Sequence, residues 1–134
     1  MKQQKGFSLI EIMVVLIIVA ILLAIAVPSY STFMTKTRRA DAITILTELA
    51  GEQQRFFSER NRYATSMVEM GYPTDPLISE EGLYAVSVEN PTETSYILTA
   101  APVAGEAQQN DTECGAFTLN SGGVKGSENG VECW

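Results

Sequence analysis

A single carboxylate lies inside a long apolar segment near the start of this chain. Residues 7–27 are apolar apart from Ser8 and Glu11. A charge inside a membrane helix costs about 2.5–3.5 kcal/mol at the helix centre and less near its end, so such a residue usually has a partner of opposite charge. Cleavage between Gly6 and Phe7 would create an α-amine that neutralises Glu11, in the same chain or in a neighbouring copy. The segment therefore predicts ion-pair chemistry between Glu11 and such an amine.

The chain has two cysteines, Cys114 and Cys133, and no histidine. Two cysteines form one bridge, and in an exported domain we expect a structural disulfide rather than a redox pair or a metal site. Closing a loop of this size contributes about 3 kcal/mol of stability in the chain-entropy model. The loop is rich in glycine and has few apolar residues. We therefore expect the bridge to fasten a C-terminal tail that has little core of its own.

The apolar segment needs a helix long enough to cross a lipid bilayer. At a rise of about 1.5 Å per residue, residues 7–27 form a helix of roughly 30 Å, which matches the thickness of the hydrocarbon core. A secretory signal peptide has a shorter apolar stretch of about 7–15 residues and a small-residue cleavage site, so this interpretation is disfavoured. A plain single-pass anchor fits the length but leaves Glu11 unexplained.

The residues at the start of this segment resemble the class III leader peptide of type IV pilins and their pseudopilin relatives. The apolar helix follows directly on the motif Lys5-Gly6-Phe7-Ser8-Leu9-Ile10-Glu11. The resemblance implies that a prepilin peptidase cuts after Gly6 and N-methylates Phe7. It also implies that Glu11, the fifth residue of the mature chain, acts in subunit addition through the amine of an adjacent subunit.

The resemblance covers roughly residues 1–60, and beyond them it extends to the architecture and the cysteine pair. Pro28 and Tyr30 fit the family pattern, whereas Glu48 stands near the place where major pilins have a second proline. Because proline removes a backbone donor, Pro28 predicts a bend or a weakened turn in the helix. The resemblance implies the pilin fold, with a C-terminal loop closed by the disulfide.

The rest of the chain predicts a small α+β head domain. Residues 29–59 have helical periodicity. One broad apolar face of that helix contains Ala42, Ile43, Ile45, Leu46, Leu49, Ala50, Phe56 and Phe57. Strands are predicted at residues 83–89, 95–100 and 115–120, with a further short strand at 124–125. Loops are expected at residues 59–82 and 102–113. We therefore predict a long N-terminal helix, membrane-spanning and then amphipathic, packed on a small antiparallel β-sheet.

Charge is distributed unevenly along the chain. Residues 1–39 carry five basic side chains against Glu11 alone, whereas residues 40–134 carry four basic and fifteen acidic side chains. Such an acidic head gives no support for strong nucleic-acid binding through a basic surface. One local basic cluster follows the apolar segment and consists of Lys36, Arg38 and Arg39. We interpret this cluster as an anchor at lipid head groups rather than as a DNA contact.

The sequence contains no pattern typical of a catalytic or cofactor site. It lacks a Ser-His-Asp or Cys-His arrangement, a glycine-rich phosphate loop and a Cys/His metal motif. Glu106, Asp111 and Glu113 do not have the alternating ligand spacing of a calcium loop, so we interpret them as solvated charges. The sequence therefore predicts neither an enzyme nor a bound cofactor or metal.

Together these features predict a structural subunit of a type IV pilus. The chain divides into a cleaved leader (1–6), a transmembrane and filament-core helix (7–28) and a globular head (29–134). We expect insertion into the bacterial inner membrane with the head in the periplasm, followed by assembly with other pilins, by the inner-membrane platform, into an extracellular filament. A minor pilin of the PilE kind is favoured, with twitching motility, adhesion or DNA uptake as its output. The alternative is a pseudopilin of a type II secretion system.

Overall fold

The computed structural model describes residues 6–130 and 132–134. Within these residues it contains one α-helix, α1 (Leu9–Arg60), and five β-strands. The strands are β1 (Leu77–Ile78), β2 (Tyr84–Glu89), β3 (Ile97–Pro102), β4 (Phe117–Asn120) and β5 (Lys125–Ser127). A short 3-10 helix (Ala107–Asn110) lies between β3 and β4. The chain forms two compact units, an N-terminal unit up to Met34 and a C-terminal unit from Thr35.

The N-terminal unit consists mainly of the apolar half of α1. Residues 6–33 are all exposed. This part of α1 is long and apolar enough to cross a membrane, judged by its length and composition. A helix is suited to that environment because it satisfies its backbone hydrogen bonds within the segment.

The C-terminal unit has a hydrophobic core between the second half of α1 and one face of the sheet. The largest fully buried apolar side chains of this core are Leu46, Leu49, Met67, Tyr84, Val86, Leu98 and Phe117. The predicted apolar face of the helix is confirmed, because Ala42, Leu46 and Leu49 lie in the core. Ile43 and Ile45 are half-buried and pack against it.

The five strands form an antiparallel meander in the order β1-β2-β3-β4-β5. In its register Val86 of β2 faces Ala100 of β3, and Ala100 faces Phe117 of β4. All three side chains are buried. Directly paired residues on neighbouring strands have their side chains on the same face of the sheet, so these three share one face. The predicted α+β fold, a long helix with a small antiparallel sheet, is confirmed.

Several parts of the sheet differ from the sequence prediction. β3 covers residues 97–102 rather than 95–100, and β4 begins at residue 117 rather than 115. Residues 77–78 were expected in a loop but form β1, where Leu77 pairs with Val86. A strand of two residues is too short to have a detectable alternation, and a proline directly precedes it. The last strand was expected at residues 124–125 but runs from Lys125 to Ser127.

Gln53 fixes the chain where it leaves α1. Its side chain is fully buried. The side-chain amide donates to the carbonyl of Ala64 at 3.0 Å, and its oxygen accepts from the Ala64 N–H at 2.9 Å. Asn61 has a φ of 57°, a left-handed conformation that asparagine tolerates at the end of a helix. The loop after the helix is thereby held against its last turns.

Candidate functional site

The N-terminal unit presents an apolar surface that carries one carboxylate. Phe7 is 79% exposed and Leu16 is 63% exposed. The N–H groups of Glu11 and Ile12 donate to the carbonyl of Ser8, at 3.0 and 3.3 Å, as α1 begins. Glu11 therefore lies in the first turn of the helix, where the helix dipole favours a negative charge by about 0.3–1 kcal/mol.

This dipole effect does not replace an ion partner for Glu11. Within residues 6–130 and 132–134, the carboxylate of Glu11 makes no salt bridge. Its neighbours Ile10 and Ile12 are themselves exposed apolar side chains. In lipid or in a protein core, the cost of the charge exceeds the stabilisation by the dipole. A cation from outside this set of residues would offset that cost.

Pro28 lies inside α1, and the helix continues past it. Proline has no N–H, so the carbonyl of Ala24 loses its usual helical donor. One turn later, the hydroxyls of Ser31 and Thr32 donate to the carbonyl of Pro28 at 2.9 and 3.2 Å. The predicted bend or weakened turn at Pro28 stays a prediction.

In the C-terminal unit, Arg39 of α1 forms an ion-pair cluster with the loop before β4. Its Nε and Nη2 atoms donate to the two carboxylate oxygens of Asp111 at 2.7 and 2.8 Å, and Nη2 also donates to Glu113 at 2.9 Å. The side chain of Asp111 is 1% exposed, that of Arg39 10% and that of Glu113 67%. The hydrogen bonds to Asp111 raise the pKa of Arg39 above its ordinary value, so the guanidinium stays charged despite its burial.

The interpretation of Asp111 and Arg39 as surface charges was wrong. Asp111 was expected to be solvated and Arg39 to lie at lipid head groups, yet the two side chains are buried against each other. The pairing removes both charges from water, which is tolerable because the contact is bidentate. Asp111 also accepts from the backbone N–H of Cys114 at 3.3 Å. The cluster therefore connects α1 to the start of the disulfide loop.

The disulfide between Cys114 and Cys133 is formed, as predicted, with their Cα atoms 5.8 Å apart. The tail is also held by Trp134, a contact that no sequence pattern predicted. Its indole N–H donates to the carbonyl of Gly126 at 2.7 Å. Its ring lies edge-on to that of Phe117, with 6.1 Å between the two ring centroids. Trp134 is partly buried against the core of the head, so the tail is held by this ring as well as by the disulfide.

A smaller polar cluster organises the loop between α1 and β1. The guanidinium of Arg62 donates to the carboxylate of Glu69. The same carboxylate accepts from the backbone N–H of Thr65 at 2.7 Å and from its hydroxyl at 3.1 Å. These bonds, the one from Arg62 first, lower the pKa of Glu69 to about 2. The charged form of Glu69 therefore stabilises this loop.

Two family models match the chain. Residues 1–27 match the prokaryotic N-terminal methylation motif. Residues 28–118 match the family described as type IV minor pilin ComP, DNA uptake sequence receptor. The chain belongs to this type IV minor pilin family. The predicted resemblance to type IV pilins, and to a minor pilin among them, is confirmed.

Sequence relatives of this pilin include both partial and more extensive matches. The type IV major pilin PilA of Myxococcus xanthus is 40% identical over 70 residues, which is 52% of this chain and 32% of that protein. A fimbrial protein of Pseudomonas aeruginosa is 28% identical over 106 residues, covering 75% of this chain and 69% of that protein. The chain thus spans about a third of the length of the Myxococcus relative.

A solved structure shares the fold of this pilin. The non-core minor pilin PilV of Neisseria meningitidis superposes with a TM-score of 0.53 at 19% identity. The match covers 75% of this chain and 92% of that chain. At this level of identity the likeness shows the fold alone.

Sequence reasoning missed two polar residues of this pilin that lie in the buried stripe of α1. The stripe consists of Arg39, Ala42, Leu46, Leu49, Gln53 and Phe56. These positions recur at intervals of three and four residues, as expected for one face of a helix. Arg39 was assigned to the basic cluster at lipid head groups, and Gln53 was not assigned a role. Their place in the periodicity was the signal that could have found them.

Proposed function

We propose that this chain is a minor subunit of a type IV pilus. Its apolar helix is stored in the inner membrane, with the head in the periplasm, and then packs with other pilins in a filament on the cell surface. The observation that carries the proposal is the exposure of residues 6–33 on all sides of α1, with Glu11 as the one charge among them. Soluble monomers rarely expose an apolar surface of this extent, so it marks a contact with lipid or with other chains.

The proposed maturation follows the predicted domain boundaries. A prepilin peptidase removes the leader, residues 1–6, by cutting after Gly6 and then methylates the new amine of Phe7. Residues 7–28 then serve as the membrane and filament helix, and residues 29–134 form the head. The match of residues 1–27 to the N-terminal methylation motif supports this order of events.

The amine of Phe7 is the proposed partner of Glu11 during assembly at the inner-membrane platform. Both groups carry a full charge, and each is costly in lipid or in a packed helical core unless it is neutralised. An amine of a neighbouring subunit supplies the cation that Glu11 lacks among the described residues. Because helices slide easily on apolar surfaces, the pair also fixes the axial register between subunits.

A pseudopilin of a type II secretion system is the disfavoured alternative. Such a protein shares the leader and the apolar helix, so the N-terminal unit does not discriminate between the two. The C-terminal unit does, because residues 28–118 match a pilin family. The disulfide loop also favours a pilin. Among the described residues, no group of three or more acidic, cysteine or histidine side chains is arranged to hold a metal ion.

Strong DNA binding is not part of the proposed function, although the description of the matched family names a DNA uptake sequence receptor. From residue 35 onward the chain carries seven basic and fifteen acidic side chains. Three of those cations, Arg39, Arg55 and Arg62, already contact carboxylates. Neutralising phosphates requires clustered free cations. We expect no shift of duplex DNA by the detergent-solubilised chain at physiological salt, and a salt-sensitive shift would contradict this view.

Processing provides the test of the proposed function. Gly6→Val should leave a full-length precursor, because a branched side chain then stands at the cleavage position, and this precursor should be absent from sheared filaments. The measurement is the intact mass of the chain in membrane and filament fractions. Gly51→Ala is the matched control, since a Cβ at Gly51 meets no atom within 4 Å, and it should be processed normally. Normal cleavage of Gly6→Val would refute the proposed maturation.

A further inference from the structure

We propose that Asn129 is a site of spontaneous deamidation in the folded protein and that the product loosens the disulfide loop. The chain contains five asparagines: Asn61, Asn90, Asn110, Asn120 and Asn129. Of these, Asn129 alone is followed by glycine. The absence of a Cβ at Gly130 leaves its backbone nitrogen open to the neighbouring side chain and gives the backbone the freedom to turn. The inference does not depend on assembly into a pilus.

The chemistry requires the side chain of Asn129, the backbone of Gly130 and water. The Gly130 nitrogen gives up its proton and forms a bond to Cγ of Asn129, while the bond from Cγ to Nδ2 breaks and ammonia leaves. The resulting cyclic imide has two carbonyl groups. Water adds to one of them and opens the ring, which yields either aspartate or isoaspartate. The sequence of steps involves neither oxidation nor reduction.

The structure leaves these groups open to reaction. Asn129 is exposed, and within the described residues its side chain makes no hydrogen bond, while its own N–H donates to the carbonyl of Cys114 at 3.3 Å. The Gly130 N–H donates to the hydroxyl of Ser127 at 3.2 Å, which is at the long end of the range for such bonds. No hydrogen bond among the described residues therefore holds the side-chain amide of Asn129, and the attacking nitrogen makes one long hydrogen bond.

Two other asparagines are restrained by their surroundings. The side-chain oxygen of Asn120 accepts from the N–H groups of Gly122 and Val124, both at 2.9 Å. These bonds restrain the Asn120 side-chain amide. Asn90 precedes Pro91, which has no N–H to lose.

The remaining two asparagines precede residues with long or buried side chains. Asn110 precedes Asp111, which is buried and whose N–H donates to the carbonyl of Gln108 at 3.0 Å. Asn61 precedes Arg62, whose guanidinium is bonded to Glu69. These side chains crowd the attack that Gly130 permits. The four other asparagines therefore serve as internal controls in the same protein.

The product at residue 129 changes a tightly packed part of the loop. A Cβ built on Gly130 would lie 3.1 Å from the carbonyl oxygen of Glu113 and 3.2 Å from Sγ of Cys133. Isoaspartate adds a carbon to the backbone next to this position, inside the loop that the disulfide closes. Either product also adds a negative charge beside Glu128. The chain around Gly130 must shift, and the tail becomes more accessible.

Peptide mapping of the aged protein tests the proposal. The full chain is incubated in detergent at mildly acidic and mildly alkaline pH, and mass spectrometry then locates aspartate and isoaspartate. We expect conversion at Asn129 many-fold above that at the other four asparagines, faster at alkaline pH because the Gly130 nitrogen must lose its proton. Proteolysis of the tail should increase with the converted fraction.

Asn129→Gln is the matched control variant, since glutamine keeps the amide but closes a ring less readily. It should age without conversion at residue 129 and without the increase in proteolysis of the tail. Conversion at Asn129 no greater than at the other asparagines would overturn the proposal. Conversion that occurs only after unfolding in denaturant would overturn it as well.

Discussion

Leucine side chains on the same helix differ in exposure between the two units of the molecule. Leu16, in the N-terminal unit, is 63% exposed, whereas Leu46, in the C-terminal unit, is fully buried. Burying a leucine side chain is worth about 1.5–3 kcal/mol relative to leaving it in water. The C-terminal unit obtains this stabilisation from its own sheet, and the N-terminal unit must obtain it from lipid or from other chains.

The two units also differ in whether a carboxylate contacts a cation among the described residues. Asp111 is buried and is neutralised by Arg39 of the same chain. Glu11 has no ion partner among the described residues. Within the head a buried carboxylate thus has its own cation, whereas Glu11 in the apolar helix contacts none among the described residues. This difference fits the proposed function, in which the apolar helix is first held in a membrane and then packs with other subunits.

The largest expected effect within the head comes from removing the partner of Asp111. Arg39→Ala leaves a carboxylate that is 1% exposed without its cation, which costs about 3–5 kcal/mol in comparable buried pairs. Chemical denaturation of the detergent-solubilised chain measures this change. Lys36→Ala is the control, because Lys36 is exposed one turn earlier on the same helix, and as a surface change it should stay within about 0.5 kcal/mol of the wild type. Equal stability of the two variants would show that the Arg39 cluster is unimportant.

The disulfide contributes the next largest effect. Cys133→Ser should destabilise the head by about 3 kcal/mol, because the loop is no longer closed in the unfolded chain. The tail should become more sensitive to protease, while Trp134 keeps part of it in place through Phe117 and Gly126. Membrane insertion should be unaffected, since it depends on the other unit. Free thiols detected in the native protein by alkylation would contradict this account.

The smallest effect concerns Glu69 and depends on pH. The pKa of Glu69 is lowered from 4.5 to about 2, so its charged form is favoured in the folded state. Its stabilising contribution is present above pH 4.5 and is lost as the pH falls towards about 2. Glu69→Gln should therefore be less stable than the wild type near neutral pH, and the difference should shrink across this interval. If the difference in stability between Glu69→Gln and the wild type does not vary with pH, the charge of Glu69 does not contribute to stability.

The sequence predicted the parts of the fold that depend on periodicity. The 52-residue helix and the central strands follow from regular apolar patterns. The apolar segment with Glu11 and the leader motif pointed to the family directly. In these cases each signal lies within a short stretch of chain.

Contacts between distant parts of the chain could not be predicted in the same way. Arg39 and Asp111 are 72 positions apart, and each looks like a surface charge within its own segment. Trp134 is a single residue at the end of a glycine-rich loop, so no pattern marked it as an anchor. β1 is only two residues long and exists because β2 offers it a pairing edge. Each of these features depends on packing that only the folded chain shows.

The central proposal is that another subunit neutralises the charge of Glu11, which has no ion partner among the described residues. The decisive measurement is the amount of Glu11→Leu chain in sheared filaments relative to the amount in membranes, with Ile12→Leu as the control. We expect normal cleavage and insertion of Glu11→Leu but a fall in incorporation of at least about a hundredfold, because an uncompensated Phe7 ammonium in a protein core costs about 3–5 kcal/mol. Incorporation equal to that of the wild type would contradict the role proposed for Glu11.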